Sequence, residues 1–210
     1  MPVSCLAFSD PGVDDRELWL GDEFGGAHAA RCGGGASGKT IAKPFGASHG
    51  GFVASIAAHP AGSAHAARAA DALGLRRGLC ATAALDWTAR VWAAGAPLGA
   101  PLDHGAHAYV AAVAWSPSRA ALLATCTAAG RVHVWTVAGI RGPEAVAPPT
   151  AVAEAPCTSL AFAADGRRLA VGDARGRCSV LALSESAAHA DAAEDARLDE
   201  VLGGLADKSQ

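Results

Sequence analysis

An all-β fold built from repeated small antiparallel sheets is predicted by three features of the 210-residue chain. Large apolar residues alternate with small or polar ones over short runs, the period of a half-buried strand rather than a helix. Those runs end in turn residues. The pattern run, turn, run, turn, run occurs four times, and its third members recur about every 43 to 46 residues once one insertion is set aside.

The first runs are VSCLAFSD from Val3, VASIAAHP from Val53, VAAVAWSP from Val110 and CTSLAFAADG from Cys157. Each closes on a turn signal: Asp10-Pro11-Gly12, His59-Pro60, Ser116-Pro117 and Asp165-Gly166. The second runs are ELWLG from Glu17, LCATAAL from Leu79, LLATCT from Leu122 and LAVGD from Leu169. The third are GGAHAA (25–30), DWTARVW (86–92), AGRVHVW (129–135) and RGRCSVL (175–181). The longer first interval holds AGSAHAARAADALGLRRG (61–78), an insertion between the first and second strands of its unit.

This period is that of a WD-repeat β-propeller blade. In such blades an Asp in the turn before the third strand supports a hydrogen-bonded network, and a Trp at that strand's end packs between blades. Asp86 and Trp92 occupy those places. The aligned turn residues elsewhere are Phe24, Ala129 and Arg175, and Trp135 alone repeats the tryptophan. The divisions expected are 1–45, 46–100, 101–147 and 148–183, followed by an acidic helical or disordered tail at 184–210. Propellers close with roughly four to eight blades, and closure removes exposed strand edges. About four blades of this kind point to a partial propeller, the C-terminal part of a longer protein.

Composition narrows the partners. Seventeen Lys and Arg against 20 Asp and Glu give a net charge of −3 with no long basic run, so the footprint of a nucleic-acid binder is missing. No run of roughly 18 apolar residues suits a membrane helix, and MPVSCLAFSD does not read as a signal peptide. The six cysteines (Cys5, Cys32, Cys80, Cys126, Cys157, Cys178) include no C-x-x-C pair and read as buried, reduced thiols of a cytosolic protein.

Three motifs point elsewhere. GGGASGKT, with Gly33, Gly38, Lys39 and Thr40, fits the phosphate-loop pattern at every position. Such a loop needs a helix after it, and IAKPFGASHGGF, with Pro44, Gly46, Gly50 and Gly51, breaks helices. The match therefore reads as spurious, a glycine-rich connector between blades, and Asp86 already belongs to a blade turn. GASHG (46–50) fits the nucleophile-elbow pattern but precedes a strand instead of a helix. His104 and His107 lack a ligand set beyond Asp103, so His49-Gly50 and His104-Gly105 read as the Gly-His region before a first strand. No cofactor, metal site or catalytic residue is expected.

In the tail, Ser184 or Ser186 caps a helix with acidic early turns. Leu198, Val201, Leu202 and Leu205 share one face, with an interruption near Gly203-Gly204. The favoured reading is a helix covering the propeller edge; the other is a docking helix for a partner.

DWTARVW, then AWSPSRAALLATCTAAGRVHVW, then CTSLAFAADGRRLAVGDARGRCSVLALS together resemble the end of a dynein intermediate chain. The resemblance rests on Trp115, Ser116, Pro117 and Arg119, on the strand pair around 169–172 and Gly176, and on EFGGAHAARC and PFGASHGGFVASIAAHP. It covers about residues 1 to 183, and GDARG with the acidic tail leans to the intraflagellar-transport, or second cytoplasmic, dynein. It implies a non-catalytic subunit whose propeller docks on the dynein heavy chain, located in cytoplasm, cytoskeleton and cilium or flagellum. Family light-chain sites lie in an N-terminal extension not matched here, and the 61–78 insertion is a departure. At a loop tip, Trp87 is a candidate interface anchor, with packing on the neighbouring blade as its structural alternative. Arg90 and Arg131 are read as exposed strand residues that pair with acids. A generic WD-repeat adaptor is the alternative, and a nucleotide-binding protein is the least favoured reading.

Overall fold

Alternating apolar runs bounded by turn residues form antiparallel hairpins, because one face of each strand then meets a neighbour while the ladder satisfies the backbone. The computed structural model describes residues 2–8, 17–31, 41–60, 79–93, 95–105, 108–139, 142–188 and 192–206, and these form four antiparallel sheets. The first is β1 (Val3–Phe8), β2 (Glu17–Asp22), β3 (Gly26–Arg31) and β4 (Ile41–Ser48). The second is β5 (Val53–Ala58), β6 (Cys80–Ala84) and β7 (Thr88–Ala93), edged by the short β8 (Ala96–Pro97) and β9 (Leu102–Asp103). The third is β10 (Val110–Trp115), β11 (Leu122–Thr127) and β12 (Arg131–Thr136), edged by β13 (Glu144–Ala145) and β14 (Thr150–Ala151). The last has three strands: β15 (Cys157–Phe162), β16 (Arg168–Asp173) and β17 (Cys178–Ala182).

The repeat is exact in its irregularities. Every first strand carries a register shift between its first and third residues: Val3/Cys5, Val53/Ser55, Val110/Ala112 and Cys157/Ser159. Such a bulge adds local twist, so each sheet turns away from its neighbour in the same manner. Each first strand lies against the first two strands of the sheet before it: β5 on β1 and β2, β10 on β5 and β6, β15 on β10 and β11. The sheets are blades stacked side by side along an arc.

Side chains explain the stacking. The residues of a blade that face its predecessor are mostly large, and those that face its successor are mostly small, with Trp19 of the first blade as the exception. Ile56 and Trp92 of the second blade pack on Trp19 and Ala27 of the first. Val113, Trp115 and Trp135 of the third meet Ala81, Ala83 and Val91 of the second. Leu160, Phe162, Leu169 and Leu181 of the fourth meet Ala112, Ala124, Cys126 and Val132 of the third. Small residues on one side leave room for large ones on the other, so facing side chains interdigitate. Second strands in the middle of the arc are covered on both faces, so every residue of β6 and β11 is buried. Hydrogen bonds cross between blades as well, from Ser4 Oγ to the Val53 carbonyl at 2.6 Å and from Trp115 Nε1 to the Ala57 carbonyl at 3.2 Å.

The structure differs from the sequence reading in several places. Fourth strands were not expected; with them the sheets end at Ser48, Asp103, Ala151 and Ala182, a few residues beyond the first three divisions read from the sequence. Residues 32–40, with the phosphate-loop pattern, fall outside the described residues, but their flanks β3 and β4 pair in one sheet. The glycine-rich stretch thus links two strands of one blade rather than two blades. The insertion 61–78 also lies outside the described residues.

The tail forms α1 (Glu185–Ala188) and α2 (Ala192–Ala206), the first capped by Ser184 Oγ accepting from the Ala187 amide at 3.3 Å. Contrary to the expected interruption, α2 continues through Gly203-Gly204. Two helical glycines cost about 1 kcal/mol each, and docking offsets that cost: Leu198 is buried in the core between the second and third blades, with Val201 and Leu202 packed against it. Among the described residues no helix is long and apolar enough to cross a membrane.

Candidate functional site

The second blade shows how its turn is held. Asp86 accepts from the Gly50 amide at 2.8 Å, the Thr88 hydroxyl at 2.8 Å and the Thr88 amide at 3.1 Å. His49 Nδ1 lies 3.0 Å from the same carboxylate, and His49 Nε2 lies 2.7 Å from Thr82 Oγ1. Trp92 Nε1 donates to that same Thr82 oxygen at 2.8 Å. An ionised carboxylate only accepts, so Nδ1 carries the shared proton. Thr82 Oγ1 thus accepts from Trp92 and hydrogen-bonds His49 Nε2. Burial alone would raise the Asp86 carboxyl, but the His49 ring, the Gly50 amide and the Thr88 hydroxyl hold it well below the usual carboxylate range. Asp86 and Trp92 are the two ends of this chain, and Trp92 is fully buried between blades.

The third blade keeps the chain without its acid. His104 Nε2 lies 2.7 Å from Thr125 Oγ1, which accepts from Trp135 Nε1 at 3.0 Å. With Ala129 at the turn, Nδ1 turns to the Leu102 carbonyl at 2.9 Å. His133 stacks on the Trp135 ring and approaches His104 edge-on. Burial, and then His133, push the His104 pKa down to about 4.

In the outer blades the acid stands two residues earlier, at the end of the second strand, where the repeat alignment did not place one. Asp22 accepts from the amides of Phe24 and Gly26, both at 2.8 Å, and meets His28 Nε2 at 2.7 Å. Asp173 accepts from the amides of Arg175 and Arg177, both at 2.9 Å. The sequence signal was the shared Gly-Asp that closes LGD and VGD.

These networks fix the hairpin turns at one end of the blades. That end presents Phe24, Leu85, Trp87 and Tyr109, all exposed. Trp87 sits at the tip with a φ of 69°, where the third and fourth blades have Gly130 and Gly176. Arg131 opens β12 beside this face and is exposed. Arg90 does not follow the expectation of an exposed, acid-paired residue. It lies mid-strand opposite Thr82, half-buried, and among the described residues its Nε has no hydrogen-bond partner. Among the described residues neither arginine joins a salt bridge.

The competing motifs find no such frame. Gly33, Gly38, Lys39 and Thr40 lie outside the described residues, and the segment after them is a strand, β4, not the helix N-terminus that holds phosphates. Ser48 ends β4 and leads into β5, so no elbow forms. His104 spends both ring nitrogens internally, and His107 is outside the described residues. Among the described residues no group of three His, Cys, Asp or Glu could hold a metal ion. Cys80, Cys126 and Cys157 are buried free thiols and Cys178 is exposed; burial, then the neighbouring Cys157, push the Cys126 thiol up to about 12.

Against known proteins, the family model of the WD domain, G-beta repeat, matches residues 100–136, which run from the edge of the second blade through β12. Among solved structures, the crystal structure of the computationally designed Ika4 protein superposes with a TM-score of 0.60 at 16% identity, over 87% of this chain and 91% of that one. At that identity the likeness is one of fold. Sheets, bulges and the matched repeat define the class: an arc of a WD-repeat β-propeller. A WD repeat supports a role as a protein–protein interaction scaffold.

Proposed function

We propose that the chain is a non-catalytic scaffold subunit of a dynein motor, docking on the heavy chain and working in the cytoplasm, cytoskeleton and cilium. The observation that carries the scaffold reading is the turn face. Exposed aromatics crown turns whose polar groups are already consumed by internal networks, leaving apolar anchors of the kind enriched in interface hot spots. The dynein assignment is supported by DWTARVW, the Trp115-Ser116-Pro117 turn and the strand pair around 169–172, which resemble the intermediate chains. Light-chain binding is left to regions outside the resemblance.

The test is capture of the tagged chain from ciliated-cell extract, read by mass spectrometry. Heavy chain in the eluate is expected, lost with the double variant Phe24→Ala/Trp87→Ala. A stable set of partners without heavy chain would favour the generic WD-repeat adaptor, and nucleotide binding abolished by Lys39→Ala would overturn both. Trp87→Gly separates contact from packing. Glycine relieves the left-handed backbone, worth about 1–2 kcal/mol, so stability should hold while capture falls. If the indole instead packs the fold, the same change should cost about 3–5 kcal/mol.

A further inference from the structure

The turns of the second, third and fourth blades do not rise equally. Their tips align on a residue in the left-handed conformation: Trp87, Gly130 and Gly176, with φ of 69°, 70° and 77°. The second turn carries Leu85 and Trp87, 44% and 49% exposed, and the fourth carries the exposed Arg175 and Arg177. Between them the third turn is Ala128-Ala129-Gly130, with no side chain longer than a methyl. The result is a strip with a low floor, apolar along one side and cationic along the other. Tyr109 borders the floor, its carbonyl accepting from the Ala128 amide at 2.9 Å, and the exposed Arg131 leaves it at the start of β12. Arg177 stands on the same side of its strand as Leu181, which packs on the third blade.

The fold leaves these groups available. Asp86 and Asp173 accept from turn amides, and Asp103 accepts from the Gly105 amide at 2.8 Å. Glu154 lies 3.6 Å from Arg175, both exposed, a pair that holds the guanidinium only weakly. Arg131 and Arg177 join no salt bridge among the described residues. Trp87 keeps a strained left-handed backbone where the next two turns use glycine, yet its indole is half exposed. Strain of this kind persists where the side chain serves a contact beyond its own turn.

We infer that this strip holds an extended segment of a partner protein, apolar at one end and acidic at the other. Leu85, Trp87 and Tyr109 take its apolar side chains, and Arg131, Arg175 and Arg177 take its carboxylates through paired N–H donors. The same arginines repel basic segments, so the strip selects as well as binds. The inference rests on the reading of the turn face as the scaffold's docking surface and adds what the partner must carry.

Panning a phage-displayed random peptide library on the purified 210-residue chain tests this. Enriched sequences should join aliphatic or aromatic residues to a run of Asp or Glu. The strongest, synthesised with a fluorescent label, should bind at least about tenfold more weakly to Trp87→Gly and to Arg131→Glu/Arg177→Glu, in chains whose circular dichroism matches the wild type. Lysines in place of the peptide's acids should abolish binding to the wild type and restore it to the double glutamate variant, a swap that a structural role for the arginines would not produce. Raising salt from about 0.1 to about 0.5 M should weaken the wild-type complex. No enrichment, enrichment of basic or uncharged peptides, binding indifferent to Trp87→Gly, or a failed charge swap would overturn the inference. Acidic peptides bound in this way with no heavy chain captured would defeat the dynein assignment alone. Heavy chain captured equally by the wild type and the double glutamate variant, but lost with Phe24→Ala/Trp87→Ala, would defeat the acidic partner alone.

Discussion

His104 makes the protein's stability pH-dependent near neutrality. Its folded pKa is about 4, against about 6.5 for a free imidazole. Above pH 6.5 the ring is neutral in both states and contributes no slope. Between 6.5 and 4 the unfolded chain holds the extra proton, so stability falls as pH falls, at up to about 1.4 kcal/mol per unit. His133, lowered by burial and then by Arg131, acts in the same direction. Asp86 contributes separately. Its depressed carboxyl stabilises the fold above the unfolded value of about 3.9 and is lost only in stronger acid. Urea midpoints should therefore drop between pH 7.5 and 5, and His104→Gln should flatten that drop while keeping a donor or acceptor toward Thr125. An unchanged slope in the variant would assign the effect to other groups.

The docking of α2 depends on one buried ion pair. Arg119 gives Nε to Glu194 Oε2 at 2.6 Å and Nη2 to Oε1 at 2.7 Å, while its Nη1 reaches the carbonyls of Ser186 and Ala187. Thr136 Oγ1 donates to the same Glu194 at 2.7 Å. Both charged residues are buried, so removing one strands the other: Glu194→Ala should cost about 3–5 kcal/mol by chemical denaturation. Arg119→Met with Glu194→Leu should cost much less than the two single changes combined, because no charge is left unpaired. A Glu194→Ala cost below about 1 kcal/mol would show the pair to be solvent-screened. None of this was legible in the chain, where Arg119 and Glu194 stand far apart. The first three strands of each blade were legible, because alternation and turn residues are local signals. The fourth strands were not. β8, β9, β13 and β14 have two residues each, too few for a period, and β4 contains Pro44, which reads as a breaker yet is tolerated where one strand edge is free. The Trp92 and Asp86 roles were read from DWTARVW. Their link through His49 and Thr82 needed the fold.

Among the described residues the main contacts of each blade are with its neighbours, so stability should be distributed along the arc rather than shared equally, as in other stacked-repeat proteins. The largest core lies between the second and third blades and gains Leu198 of α2; the first and second blades share a smaller one, as do the third and fourth. The end strands β1 and β17 carry exposed apolar residues, Val3, Leu6, Phe8 and Val180. Hydrogen exchange should then rank the strands, with amides of β6 and β11 opening only on global unfolding and those of β1 and β17 exchanging at least about 100-fold faster. Uniform protection along the strands would mean the arc unfolds as one unit.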